Sequence, residues 1–504
     1  MKKNHTQAVS DYAIIGFLLS AMFLAATLIL LLCFAASDQP NRVGGALVSV
    51  QRAVLDVRSL RRSVAKPQSP ERNEPAVTVD EVIAVFEDYL TKLHAGLLNA
   101  SQGDRDFRIY YRIHHDLTVK TLYAFDRHYA THMPERRTDD SIFLSLASYR
   151  DENCFNTLTH AYGQATHPER LFVGLVQQNC VADCMSGVLV GGKVEPIEPD
   201  DDCYQLFCDS EIGKIHCSRV RLLRVNESES LGPYTARYFA SKLWSGETWF
   251  MQIDSHMTFA EGWDTTSVDM LRNAPSEKPV ISHYPPGAEE DFVHAEKRGA
   301  PRICDAIFSE SDVEHQVIRL EGCLRCAGSR IDIPRFAPFV AAGYFVAHSD
   351  FLKDVPFDPF LPWVFMGEEI IMSARLWTFG YDIFAPTHSV VGHIYVRRHK
   401  PKYWESVGRF LGVGMDGLIE GLVIHRIKHQ LGYPESAPDV VWPKDIFFGV
   451  EHYSMGKERS VVDYMKLVGL DPVHKEVFPV RWCEAGQPPE YAQDKAYLYD
   501  TTKK

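Results

Sequence analysis

The residues Trp249 to Phe259 read WFMQIDSHMTF, an aromatic and apolar run that ends in an acid, a serine and a histidine. Asp254 and His256 are two apart, and an i, i+2 pair on extended backbone points both side chains the same way. A carboxylate and an imidazole so placed can grip one cation from one side. Mn²⁺ or Mg²⁺ accepts oxygen donors, Mn²⁺ also takes imidazole, and positions remain open for phosphate oxygens. An acid and a histidine at a strand end also suit a hydrogen-bonded turn. Glu368 and Glu369 open a helix, where two acids are favourable with the macrodipole whatever they do. Arg397, Arg398, His399 and Lys400 form a basic run that is either a closing loop or a solvated surface segment. Arg237 either serves a ligand or pairs with an acid inside the fold.

These side chains need a scaffold, and the chain from residue 141 offers one. Ser141 to Ala147 (SIFLSLA) predicts a buried strand, Cys154 to Ala165 a helix, Leu171 to Val176 a second strand and Thr248 to Ile253 another. Glu368 to Thr378 predicts a helix stopped by Gly380, followed by a short strand at Tyr381 to Ala385. Alternation of this kind predicts an α/β domain with a mostly parallel sheet covered on both faces. Ligands of such sheets collect beyond the carboxyl ends of the strands, where Asp254 falls. The acidic, Gly/Pro-punctuated segment 191–203 reads as a solvated insertion.

At 504 residues, 45% hydrophobic and 24% charged, the chain is globular in composition. A formal charge of −13 excludes nucleic acid as the expected partner, because phosphate backbones are bound through clustered Lys and Arg. Residues 1–11 read as a cytosolic tail, and 12–36, which lack any charge, as a single transmembrane helix, since about 20 apolar residues span a bilayer. Residues 37–77 then form a polar stem, 78–138 a helical stem or cap region, 139–410 the catalytic domain and 411–504 a C-terminal extension. Thr78 to Glu81 predicts a capping box ahead of an apolar stripe at Val82, Val85, Phe86, Tyr89, Leu90, Leu93 and Leu97. That stripe packs on the body or pairs two copies through the stem. Ten cysteines beyond Cys33 point to disulfides of undetermined pairing, with zinc at Cys323-Leu-Arg-Cys326 as the rival. With the sequons at Asn99 and Asn226, the expectation is a type II Golgi membrane protein with its large domain in the lumen.

Four blocks carry a resemblance, the last of them ERSVVDYMKLVGLD (458–471). GPYTARYFASKLWSGETWFMQIDSHMTFAEGWD (232–264), SIFLSLASYRDENCFNTLTHAYGQATHPERLFVGLVQQ (141–178) and the segment 341–401 around FMGEE and VGH resemble glycosyltransferase family 60, the polypeptide α-N-acetylglucosaminyltransferases of protists. The match runs over about residues 140 to 475, and its metal-bearing strand end is similar to that of the mucin-type polypeptide N-acetylgalactosaminyltransferases. The resemblance implies a GT-A fold that binds UDP-GlcNAc and transfers the sugar, with retention and in α linkage, to a polypeptide hydroxyl. Threonine of mucin-like proteins is the expected acceptor and hydroxyproline the alternative. It implies Asp254, His256 and His393 as metal ligands, with His393 supplied by Val391-Gly392-His393, and Glu368 of Met366-Gly367-Glu368 on the sugar hydroxyls. Asp254 and Glu368 are the catalytic candidates. Ala147, Tyr149, Arg150 and Asp151 at the first strand's end, with Gln178, Arg237, Ser255 and Arg397, are the candidate nucleotide and substrate contacts. Met366 and Phe365 depart from the related enzymes' Gly and Trp, so hexosamine selectivity is not read from this motif. A metal-dependent hydrolase using the same three ligands, and a sugar-binding protein without transfer activity, are the alternative classes.

Overall fold

The computed structural model divides the chain into 1–74 and 75–504. It describes residues 75–487 except 102–105, 183, 185–188, 191–192, 195–197, 289–298, 313, 328–331, 398–399 and 413.

The central sheet and a ribbon beside it are built from β1 (Ile142–Tyr149), β2 (Leu171–Asn179), β3 (Val220–Asn226), β4 (Trp249–Asp254), β5 (Met257–Phe259), β6 (Pro279–Ser282), β7 (Arg335–Phe336), β8 (Tyr344–His348), β9 (Asp382–Ala385) and β10 (Val391–His393). Eight of them form one sheet in the order β7-β9-β6-β8-β4-β1-β2-β3. The half from β3 to β4 is parallel, whereas β8 runs antiparallel to both β4 and β6. The sheet is therefore mixed rather than mostly parallel. The period-2 pattern of β1 explains its burial on both faces: Ile142, Leu144 and Leu146 enter one core cluster and Phe143 the other.

The helices that cover the sheet and frame the site are α1 (Val79–Ser101), α2 (Phe107–Thr118), α3 (Cys154–Gln164), α4 (Cys203–Asp209), α5 (Pro233–Lys242), α6 (Trp263–Asn273), α7 (Glu368–Thr378), α8 (Tyr403–Leu411) and α9 (Met415–Gln430). Gly174 in β2 lets α5 lie close, because a Cβ there would stand 2.4 Å from Phe143 and 3.0 Å from the Ala240 carbonyl. The capping box before α1 forms, with Thr78 N–H donating to Glu81 at 2.7 Å and Glu81 N–H to the Thr78 hydroxyl at 3.3 Å. Its stripe is buried on the chain's own body: the Phe86 ring lies 4.7 Å from Phe239 and 5.8 Å from Tyr238, both on α5.

All ten described cysteines are paired, as Cys154–Cys203, Cys180–Cys184, Cys208–Cys217, Cys304–Cys483 and Cys323–Cys326. The C-x-x-C segment thus closes on itself instead of offering two thiolates to zinc.

Two expectations need correction. Among the described residues no helix is long and apolar enough to cross a membrane, which overturns the preceding transmembrane helix, the membrane partner and the single-pass Golgi topology as readings of this fold. The segment 12–36, on which they rested, lies outside the described residues, as do the tail and nearly all of the stem. The acidic insertion is also not simply solvated. The Asp200 carboxylate is buried, accepts from Arg150 Nε at 2.8 Å and from Cys180 N–H at 2.7 Å, and pairs with Lys400 at 3.1 Å. Asp202 caps α4 by accepting from Gln205 N–H at 3.0 Å.

Candidate active site

Asp254 is the last residue of β4, opposite Ala147 in the register with β1. The chain turns through Ser255 and His256 into β5, which pairs antiparallel with β10 so that His393 faces Met257. A further bond from Ile394 N–H to the His256 carbonyl, at 3.0 Å, closes the ribbon over the strand end. This pairing brings a residue 139 positions downstream to within 3.1 Å of the Asp254 carboxylate, measured from His393 Nε2 to Oδ2. One ligand atom from each of Asp254, His256 and His393 lies within 4.8 Å of the other two, and their rings and carboxylate are partly exposed to the cavity.

The donor set fits a divalent cation. Asp151 accepts from the Ser255 hydroxyl at 2.6 Å and holds His256 Nδ1 at 2.6 Å, which leaves His256 Nε2 as the ligating atom. His393 Nδ1 is buried and has no hydrogen-bond partner among the described residues. Gly343 is required beside them, since a Cβ there would meet Asp254 Oδ2 at 2.6 Å. Burial pushes the Asp254 carboxyl up, but the hydrogen bond from His393 and the Arg237 guanidinium outweigh it and hold the group well below the usual carboxylate range. Asp151 behaves alike: burial opposes its charge, while His256 and Arg397 bring it down to about 2. Both acids are therefore ionised at neutral pH, Asp254 to bind a cation and Asp151 to orient His256.

A cavity of about 600 Å³ opens above this cluster. Of the candidate contacts, Ala147, Tyr149, Gln178, Arg237, Ser255, Glu368 and Arg397 line it with the three metal candidates. Tyr149 is fixed by a 2.6 Å hydrogen bond between its hydroxyl and Ser406, and Gln178 by the Ser230 hydroxyl at 2.7 Å. Arg397 donates to the Tyr149 carbonyl at 3.1 Å and pairs with Asp151 at 3.0 Å. Two candidates lie elsewhere. Arg150 is fully buried against Asp200 behind the strand end, and Asp151 acts on His256 and Ser255 rather than facing the cavity. Arg398 and His399 of the basic run lie outside the described residues, and Lys400 is spent on Asp200.

Arg237 on α5 lines the cavity and also pairs with acids of the fold. It donates to Asp254 Oδ1 at 2.7 Å and to Glu368 Oε2, and although burial opposes its charge the two carboxylates hold the guanidinium above its ordinary value. Glu368, first residue of α7, is further held by Gln252 Nε2 at 3.3 Å. Glu369 also lines the cavity, accepting from the Ala342 N–H at 2.9 Å and the Tyr284 hydroxyl at 2.7 Å. The sequence reading missed Tyr284, Gly343, Lys402, Tyr403 and Trp404 as lining residues. The adjacency of Lys402, Tyr403 and Trp404 to the basic run was the one available signal.

An Asp-x-His strand end beneath a cavity, with a third ligand delivered by a neighbouring ribbon, defines a mixed α/β domain with a candidate divalent-metal centre at its strand ends. Residues 141–474 match the glycosyltransferase (GlcNAc) family, and the chain belongs to that family. No curated protein matches the sequence. Among solved structures, GalNAc-T7 with UDP, GalNAc and Mn²⁺ is 11% identical with a TM-score of 0.37, over 71% of this chain and 58% of that one. S. aureus TarS 1-349 in complex with UDP-GlcNAc is 12% identical with a TM-score of 0.32, over 71% of this chain and 91% of that one. The chain thus spans less than two thirds of GalNAc-T7, and likenesses this distant leave the assignment to the family match.

Proposed function

We propose that this protein moves N-acetylglucosamine from UDP-GlcNAc, in α linkage and with retention, onto a hydroxyl of a polypeptide, with threonine as the acceptor. The observation that carries the reading is the convergence of Asp254, His256 and His393 on one point below a cavity whose facing wall presents Glu368, in a chain of this family. A divalent ion, Mn²⁺ by its tolerance of mixed oxygen and imidazole donors, would be held by those three residues and would neutralise charge on the departing diphosphate.

The protein's own groups do the rest. Arg397 and Lys402 line the same cavity and add positive charge where the leaving group sits. Asp151 holds His256 in one orientation, and Arg237 locks Asp254 to Glu368 so that the metal corner and the sugar wall keep a fixed spacing. Glu368, buried but lining the cavity, accepts hydrogen bonds from sugar hydroxyls through the lone pairs that its contacts with Arg237 and Gln252 leave over. Both its oxygens are already engaged by the fold, which suits orientation better than nucleophilic attack. The acceptor hydroxyl then approaches on the face from which UDP leaves. The bond between the anomeric carbon and the phosphate oxygen breaks, that to the acceptor oxygen forms, and the hydroxyl proton passes to the departing phosphate oxygen.

The test is a donor screen on a Thr-rich peptide with mass analysis, with and without Mn²⁺, in the wild type and Asp254→Asn. The expected result is a metal-dependent gain of one N-acetylhexosamine from UDP-GlcNAc, reduced at least 100-fold in the variant. Transfer to hydroxyproline alone would move the acceptor. Binding of UDP-GlcNAc without transfer to any peptide would leave a sugar-binding protein, and turnover unchanged in Asp254→Asn would remove the site.

A further inference from the structure

The turn Phe365–Met366–Gly367 leads into Glu368 and lines the cavity, joined to the metal corner through Arg237, which pairs with both Glu368 and Asp254. It is held from behind by a helix with no place in the reading above. A single carboxylate oxygen of Glu420, on α9, accepts from the backbone N–H of Phe365 at 3.0 Å and of Met366 at 3.4 Å. Gly367 takes φ +102°, and a Cβ there would stand 3.0 Å from Ile427 and 3.5 Å from Ile424 of the same helix. Residues 420, 424 and 427 are spaced i, i+4, i+7, so one face of α9 supplies both the polar clamp and the apolar bed for this turn. Glu420 itself does not line the cavity. Burial pushes its carboxyl up to about 7, and the two N–H donors oppose that shift.

α9 is itself firmly placed. Arg426, fully buried, pairs with Asp358 at 2.6 Å and donates to the carbonyls of Ile446 at 3.0 Å and Phe448 at 2.8 Å. The clamp on the turn is thus anchored in the body of the domain, and a displaced turn would carry Glu368 with it.

We propose that Glu420 is a positioning residue for donor-sugar selection, acting through the Phe365–Met366 backbone to set where Glu368 meets the sugar. This rests on the assignment of the cavity to UDP-GlcNAc, and it gives the C-terminal segment 411–430 a role in that site. The two N–H groups share one acceptor oxygen, and withdrawing it leaves both unpaired, so their loss is felt as a factor of about ten or more. Glu420 bonds the turn before Glu368 and not Tyr149, Gln178 or Arg397, the groups offered to the nucleotide, so that loss falls on the sugar more than on UDP.

The test is calorimetry on the full chain with Mn²⁺ and each of UDP, UDP-GlcNAc and UDP-GalNAc, for Glu420→Leu, Glu420→Asp and Glu420→Gln. Leu removes the acceptor, Asp withdraws it by one methylene, and Gln keeps an oxygen at the same reach. The expected result is that Leu and Asp weaken UDP-GlcNAc about tenfold, change UDP by less than about twofold and flatten the preference between the two sugars, while Gln restores near wild-type binding. If Leu does not fold, Asp carries the comparison. Wild-type affinity and preference in Asp, or equal weakening of UDP and UDP-GlcNAc, overturns the inference alone. A wild type that binds UDP but neither sugar nucleotide overturns the donor assignment and this inference with it.

Discussion

Asp254 and Glu369 are carboxyl groups in one cavity pushed in opposite directions. Hydrogen bonding from His393 and the charge of Arg237 overcome burial at Asp254, whereas burial prevails at Glu369 and lifts it from its usual 4.5 to about 7. The consequence for stability follows from proton counting. Between pH 4.5 and about 7 the folded state keeps the Glu369 proton that the unfolded chain releases. Stability from this group is therefore present at low pH, falls as pH rises through that window and is level above it. Glu369→Gln cannot ionise and should remove that fall. Urea unfolding at pH 5 and pH 8 should show the wild type losing about 2–3 kcal/mol more than the variant across that interval; equal losses would show that the buried carboxyl does not titrate there. The pairing of Asp254 with His256 was legible as i, i+2 spacing, but the tuning of each acid depends on Arg237, Asp151 and Tyr284, whose approach no local pattern records.

Among the elements, α1 carries the clearest link from pattern to packing. Its capping box and 3.6-residue stripe predict a helix with one apolar face, and the buried face is the one expected, from Val82 through Leu93. What it packs against is α5, which also carries Arg237. Phe86→Ala should cost about 3–4 kcal/mol in equilibrium unfolding, the range for removing a fully buried aromatic ring. A loss under about 1 kcal/mol would mean that the helix is dispensable to the body. Strands β1, β2 and β4 were legible instead as short apolar runs, and helix α7 from its acidic start and the glycine that stops it. The antiparallel β8 was not predicted, because a five-residue apolar strand bears no mark of its direction. The ribbon of β5 and β10, each three residues, was equally silent, and it is what delivers His393.

For the molecule as a whole, the disulfide Cys304–Cys483 joins positions 179 residues apart and ties the last described helical turn to the domain. Closing a loop of that length removes much freedom from the unfolded chain, on the order of 4–5 kcal/mol in the chain-entropy account. The double variant Cys304→Ser/Cys483→Ser should lose roughly that much stability on denaturant titration. A loss within about 1 kcal/mol would assign the C-terminal attachment to Arg302, which donates to the Cys483 carbonyl at 2.7 Å, and to the neighbouring apolar contacts.

Composition, periodicity and a few short motifs determined the α/β class, the strand that ends in Asp254, the helix that begins at Glu368, and the presence of five disulfides' worth of cysteine. Those properties are local, set by which residues sit two, three or four apart. Only the tertiary structure decided that Asp151 would orient His256 instead of facing a nucleotide, that Arg150 would be consumed by Asp200, and that Arg237 would bind two acids at once. It also decided that α9 would reach back to hold the turn before Glu368. Each of those outcomes depends on side chains separated by tens to hundreds of residues, and their meeting is fixed by strand order and crossover packing, which no spacing along the chain encodes.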